Sequence, residues 1–303
     1  MTAPIASIAS VRPTPVVRRA LRDGLGLAGL AFAAYLFLVV APKAGTFGFD
    51  AFAYWALDPA DPYTVPAGTF GAFTYTPVIA ILFAPFGLLQ WTTFLWLWTS
   101  LLVATVIWLG WRSALFVLAF PPVALDLYHG NIHLLMAAAI ALGFRYPAAW
   151  SFLLLTKVTP GVGLVWFAVR REWRSLVIAL AVTAGLVIGS LIIAPGLWSE
   201  WFDDIFKTAG GAPLGQFSIA IPLLLRLPLA VLVIAWGART DRRWTVPVGA
   251  TLALPILWPS GLAVLAALWP IAQHRPQLEP RRPDAAKPET VRAASTSAPG
   301  PGA

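Results

Sequence analysis

The sequence predicts an all-α fold: a polytopic transmembrane helical bundle of about ten membrane segments. Three observations predict it. Of the 303 residues, 59% are hydrophobic and only 11% are charged, and the mean hydropathy of +0.77 lies far above that of a soluble domain. The apolar residues gather into runs separated by Pro, Gly and short Arg clusters, which is how topology determinants are spaced in a membrane bundle. The net charge of +8 comes from those clusters rather than from one basic face, so no nucleic-acid partner is expected. Cys is absent, which excludes disulfides and thiolate metal sites. The three His residues, His129, His133 and His274, are too few for a rich metal site.

Residues 1–23 carry Arg12, Arg18, Arg19 and Arg22 beside Pro13 and Pro15 and read as a cytoplasmic tail. A single transmembrane domain, 24–273, follows. Its first run, 24–42, lacks a small-residue cleavage site after it and reads as a retained helix, with its far end outside. The stretch 43–74 is then an external loop. It holds Asp50, Asp58 and Asp61 among Phe47, Phe49, Phe52, Tyr54 and Trp55, a composition suited to a helix lying in the membrane surface.

Next come 75–90, interrupted by Pro77 and Pro85, and 93–111. The pair 113–127 and 131–144 is short for two spans and is joined through Tyr128-His-Gly-Asn131. Sidedness allows either two crossings or one re-entrant hairpin. Segment 148–169 ends in Arg170-Arg-Glu-Trp-Arg174, an inside marker. Segment 175–194 leads to a second external loop, 196–216, with Glu200, Asp203 and Asp204. Segment 217–238 ends at the inside cluster Arg239–Arg243, and 244–257 and 260–273 complete the bundle. The tail 274–303, rich in Pro, Ala and Arg, is expected to be disordered and cytoplasmic.

A charge near the bilayer centre costs roughly 2.5–3.5 kcal/mol, so each one needs an explanation. Lys157 and Arg226 lie inside apolar segments, and Asp126 precedes the Tyr128–Asn131 turn. Two readings stand. In one, Lys157 or Arg226 pairs with Asp126 or snorkels to the interface, and the role is structural. In the other, the two cations hold an anionic ligand reached from the outer face, most naturally a phosphate. Asp50, at the surface between Phe49 and Phe52, is either a solvated loop carboxylate or a general base. Asp58 and Asp61 each precede Pro and read as turn residues. No Walker A loop, His-Glu-x-x-His or Gly-x-Ser-x-Gly occurs, so nucleotide-driven and hydrolase chemistries lack their machinery.

Several of these features occur in an order that resembles glycosyltransferase family 87, polytopic GT-C fold enzymes that use polyprenyl-phosphate sugars. The matching residues are Phe49-Asp50 with Tyr54-Trp55, Asp61-Pro-Tyr63, Phe73-Thr-Tyr-Thr-Pro77, Ala84-Pro-Phe-Gly-Leu88, Gly130-Asn131, Lys157-Val-Thr-Pro160 and Arg170-Arg-Glu-Trp-Arg174. The resemblance implies an inverting transferase in the cell membrane. Its sugar would be mannose first and arabinofuranose second, and its acceptor a glycolipid or polysaccharide. It also implies Asp50 as general base, Lys157 and Arg226 as phosphate contacts, and Tyr54, Trp55, Tyr75, His129 and Asn131 as further substrate contacts. Some GT-C enzymes use a divalent metal, but the carboxylates here make a thin ligand set, so no metal and no cofactor are expected. The late stretch Leu257-Trp-Pro-Ser-Gly261 lacks the His residues that mannosyl members carry there, and sugar and acceptor stay open. The alternatives are a lipid or solute transporter, whose path the buried charges would line, and a non-catalytic membrane subunit.

Overall fold

The computed structural model describes residues 14–209, 218–219 and 221–273. The tail expected to be disordered, 274–303, lies outside the described residues. So do residues 1–13, residues 210–216 of the stretch expected as a second external loop, and residues 217 and 220. Among the described residues every regular element is helical.

Helix α1, Pro15–Ala44, is 30 residues long and contains a π turn at Leu36–Val40. Thr14 accepts a hydrogen bond from Val17 N at 3.3 Å, with Pro15 behind it in the first turn, which is how a Thr-Pro pair starts a helix. Residues 15–22 are therefore helix continuous with the first span. Gly29 lies against the backbone of Ala119 with no room for a Cβ, the close approach that small residues give membrane helices.

Helix α2, Phe49–Trp55, lies within the stretch 43–74 where a short helix is expected. Helix α3 is Pro77–Leu88 and α4 is Trp91–Leu118. Helices α5, Pro121–His129, and α6, His133–Gly143, meet at a bend of 117°, so Gly130 and Asn131 lie at its apex. The expected segment 148–169 is two short helices, α7, Pro147–Thr156, and α8, Thr159–Val169. Then follow α9, Trp173–Ile193, and α10, Pro195–Ala209. The remaining helices are α11, Leu223–Arg239, α12, Thr245–Leu252, and α13, Pro259–Ala272.

Three helices, α1, α4 and α9, are long and apolar enough to cross a membrane, and the bent pair α5–α6 makes a fourth if it counts as one span. The other expected segments are shorter or broken. Proline sets many of these limits: it opens α3, α5, α7 and α13 and lies inside α11 as Pro228, because it has no N–H to continue a helix behind it. The stretch expected as a second external loop is, over its described part, the helix α10, whose Trp198 and Trp201 are buried while Phe202 and Phe206 are exposed. Trp201 donates its indole N–H to Thr74 O at 3.4 Å, so α10 packs beside the loop that carries α2.

Candidate active site

The site is built around the α5–α6 bend. Gly130 closes α5 in the left-handed region, φ 70°, where only glycine is free of strain. Gly130 N and Asn131 N both donate to Asp126 O, at 2.8 and 3.1 Å, and Trp98 of α4 donates its indole N–H to Gly130 O at 2.7 Å. The turn is thus fixed from inside and from a neighbouring helix.

Helix α2 docks on this turn. Gly48 N donates to Tyr128 O at 2.9 Å, Thr46 and Tyr128 share a hydroxyl hydrogen bond of 2.6 Å, and Ala51 is fully buried beneath Gly130. The docking turns Asp50 toward the apex. Asn131 Nδ2 donates to Asp50 Oδ2 at 2.7 Å, while Asn131 Oδ1 accepts from Ile132 N at 2.7 Å. The second bond assigns the amide, since a backbone N–H needs the oxygen and so leaves the NH₂ for the carboxylate. Asp50 is half-buried.

On the other side of the turn, Asp126 and His133 are 0% and 1% exposed. Asp126 Oδ1 lies 2.8 Å from His133 Nδ1, and its Oδ2 accepts from Leu134 N at 3.0 Å. Lys157 Nζ lies 2.8 Å from His133 Nε2. Lys157 occupies the break between α7 and α8 in an extended conformation, φ −139° and ψ 101°, and is half-buried. The structure therefore brings three of the residues named from the sequence, Asp50, Asn131 and Lys157, into one cluster.

The other candidates are placed differently. Arg226 does not join the cluster. Its guanidinium donates to the carbonyls of Ile221 (2.7 Å), Leu252 (2.6 Å), Leu254 (2.8 Å) and Pro255 (3.1 Å), and so caps the end of α12. Arg226→Met is expected to leave those carbonyls unpaired and to lower stability by about 3 kcal/mol, read as a drop in the melting temperature of the purified protein in detergent. The rings of Tyr54 and Tyr75, expected against a sugar, are buried. Their hydroxyls are 3.0 Å apart, and Tyr54 packs on Phe83 and Trp98. Trp55 packs on Phe52 and Trp91 and donates to Leu89 O at 2.8 Å. His129 is half-buried beside Phe49 and Tyr128. In the loop, burial together with the Asp204 and Glu200 carboxylates keeps the Tyr63 phenol protonated, well above its usual range, while it donates to Tyr75 O at 2.9 Å.

On the structural reading Lys157 or Arg226 pairs directly with Asp126; instead Asp126 pairs with His133 and reaches Lys157 through that ring. His133 is the residue that the sequence reading passed over. Its signal was a His seven positions after an Asp, across a Gly-Asn turn, in otherwise apolar surroundings. Among the described residues no group of three or more His, Asp or Glu side chains is placed to hold a metal ion.

Fold and site together define a helical membrane protein that presents a carboxylate and an ammonium from two sides of one bend. The chain belongs to glycosyltransferase family 87, whose family profile matches residues 73–282, more than two thirds of its length. The match begins beyond α2, so Asp50 precedes it, while Asp126, Asn131, His133, Lys157 and Arg226 fall within it. No curated protein and no solved structure matches the chain.

Proposed function

We propose that this glycosyltransferase moves a sugar, mannose first and arabinofuranose second, from a polyprenyl-phosphate donor to a hydroxyl of a glycolipid or polysaccharide at the outer face of the cell membrane. The GT-C arrangement of about ten segments with both termini cytoplasmic belongs to the same proposal. The observation that carries it is that one bend holds Asp50 through Asn131 and Lys157 through His133.

In this reading the donor's phosphate lies against Lys157, with its sugar toward Asp50. An Asp50 carboxylate oxygen takes the proton of the acceptor hydroxyl as that oxygen bonds to the anomeric carbon. The bond from that carbon to the phosphate oxygen breaks on the opposite face, and its electron pair leaves with the polyprenyl phosphate. The configuration inverts. The departing phosphate gains one negative charge, which the Lys157 ammonium stabilises, so no general acid is needed. Nor does a single displacement need the second, nearby carboxylate that serves as nucleophile in a retaining enzyme. Transfer is metal-independent in this scheme.

The test is transfer of radiolabelled sugar from polyprenyl-phosphate-mannose, and in parallel from polyprenyl-phosphate-arabinose, in proteoliposomes of wild type and Asp50→Ala. Transfer that disappears in a folded Asp50→Ala variant is the expected result. Wild type that moves the donor lipid across the bilayer but transfers neither sugar overturns the reading in favour of a transporter.

A further inference from the structure

The transfer proposed above uses Lys157 but leaves Asp126 and His133 without a task, although both are buried charged or titratable groups in an apolar interior, where such groups are costly to keep. With Lys157 charged, their hydrogen bonds admit one proton assignment. An ammonium has donors and no acceptor, so His133 Nε2, 2.8 Å from Lys157 Nζ, has to accept. The ring proton then sits on Nδ1 and donates to Asp126 Oδ1 at 2.8 Å. Asp126 Oδ2 is already occupied by Leu134 N–H. A doubly protonated ring would turn an N–H toward the ammonium, and the opposite tautomer would leave Asp126 Oδ1 facing a lone pair.

Lys157 also needs this support. It sits where α7 has ended, with extended backbone and no helical turn around it, and a four-carbon stem there has many rotamers to lose. We propose that Asp126 and His133 are positioning residues that hold the Lys157 ammonium opposite Asp50, with two of its three N–H bonds left for a phosphate oxygen. The arrangement matches the way a carboxylate fixes the tautomer of a histidine so that the ring's other nitrogen faces its partner in the correct state. It rests on the donor reading above. Because Asn131 holds Asp50 from the same bend, residues 126–134 set both ends of the site.

The probe is undecaprenyl phosphate, which carries no sugar, titrated into the full chain in nanodiscs. In Asp126→Asn, Leu134 N–H still claims the side-chain oxygen, so the amide NH₂ faces Nδ1 and the ring flips to the Nε2–H tautomer, which confronts Lys157 with a donor. Probe affinity is expected to fall about tenfold or more with little change in melting temperature. His133→Gln, whose Oε1 overlies the lost Nε2, is expected to bind more tightly than His133→Leu. The ¹⁵N spectrum of wild type is expected to show His133 protonated at Nδ1 and bare at Nε2, and Asp126→Asn the reverse. With three His in the chain, His129→Gln and His274→Gln complete the assignment.

A bare Nδ1 in wild type, wild-type probe affinity in Asp126→Asn, or equal affinities for the Gln and Leu variants overturns the positioning role. Wild type that binds the probe in this tautomer-dependent way but transfers no sugar overturns the donor reading and leaves the positioning of Lys157 standing. Transfer that depends on Asp50 while probe binding ignores Asp126 and His133 does the opposite.

Discussion

Asp50→Asn is expected to lower kcat by about 10²–10⁴-fold, the range that a positioned general base supplies, while the KM for donor stays level or falls. The substitution is nearly isosteric. Its Oδ1 still accepts from Asn131 Nδ2, which in wild type donates to Asp50 Oδ2 at 2.7 Å, so α2 keeps its seat on the bend. What disappears is the basic lone pair and one negative charge. A carboxylate charge opposes an anionic phosphate bound at the same bend, so its loss does not weaken donor binding. Asp50→Ala removes the acceptor as well and leaves the Asn131 NH₂ unpaired, which adds about 1–2 kcal/mol of local destabilisation. Steady-state kinetics and melting temperatures of the two variants separate these effects. An Asp50→Asn enzyme that retains a tenth of wild-type kcat would remove Asp50 from the role of base.

Much of the chain was legible because membrane helices declare themselves by apolar length. The long helices α1, α4 and α9 stand close to where hydropathy placed them, and the aromatic stretch around Asp50 forms the helix α2. The break at Lys157 was harder to see, since residues on both sides of it are equally apolar and the signal is only Lys-Val-Thr-Pro. Arg226 shows a different limit. A sequence displays a buried cation but not its partners, and here the partners are backbone carbonyls, which leave no mark in residue identity. The pairing of Tyr54 with Tyr75 was hidden for a third reason. Helix α2 is seven residues long and carries aromatics on more than one face, so no periodicity tells which ring points inward. His133 needed the bend itself, because Asp126 and His133 face each other only once Gly130 reverses the chain.

Gly130→Ala is expected to destabilise the protein by about 3 kcal/mol and to abolish transfer, although the residue touches no substrate. Two costs combine. A Cβ at φ 70° carries the left-handed penalty of roughly 1–2 kcal/mol. The same Cβ would stand 2.7 Å from Ala51 Cβ and 3.5 Å from Ala51 N, a contact that backbone has to move to relieve. The part free to move is α2, because the turn is held by Trp98 and by the Asp126 carbonyl. Moving α2 carries Asp50 off Asn131. Two further variants separate the costs. Gly130→Asn suits the left-handed region but keeps the Cβ, so it should recover some stability and no activity. Adding Ala51→Gly to Gly130→Ala removes the overlap at the cost of about 0.5–1 kcal/mol for a glycine within α2, so it should recover activity with little gain in stability. The opposite ranking, with Asn restoring transfer and the double variant not, would show that the backbone angle of the turn aims Asp50, and that the seat of α2 on Gly130 does not.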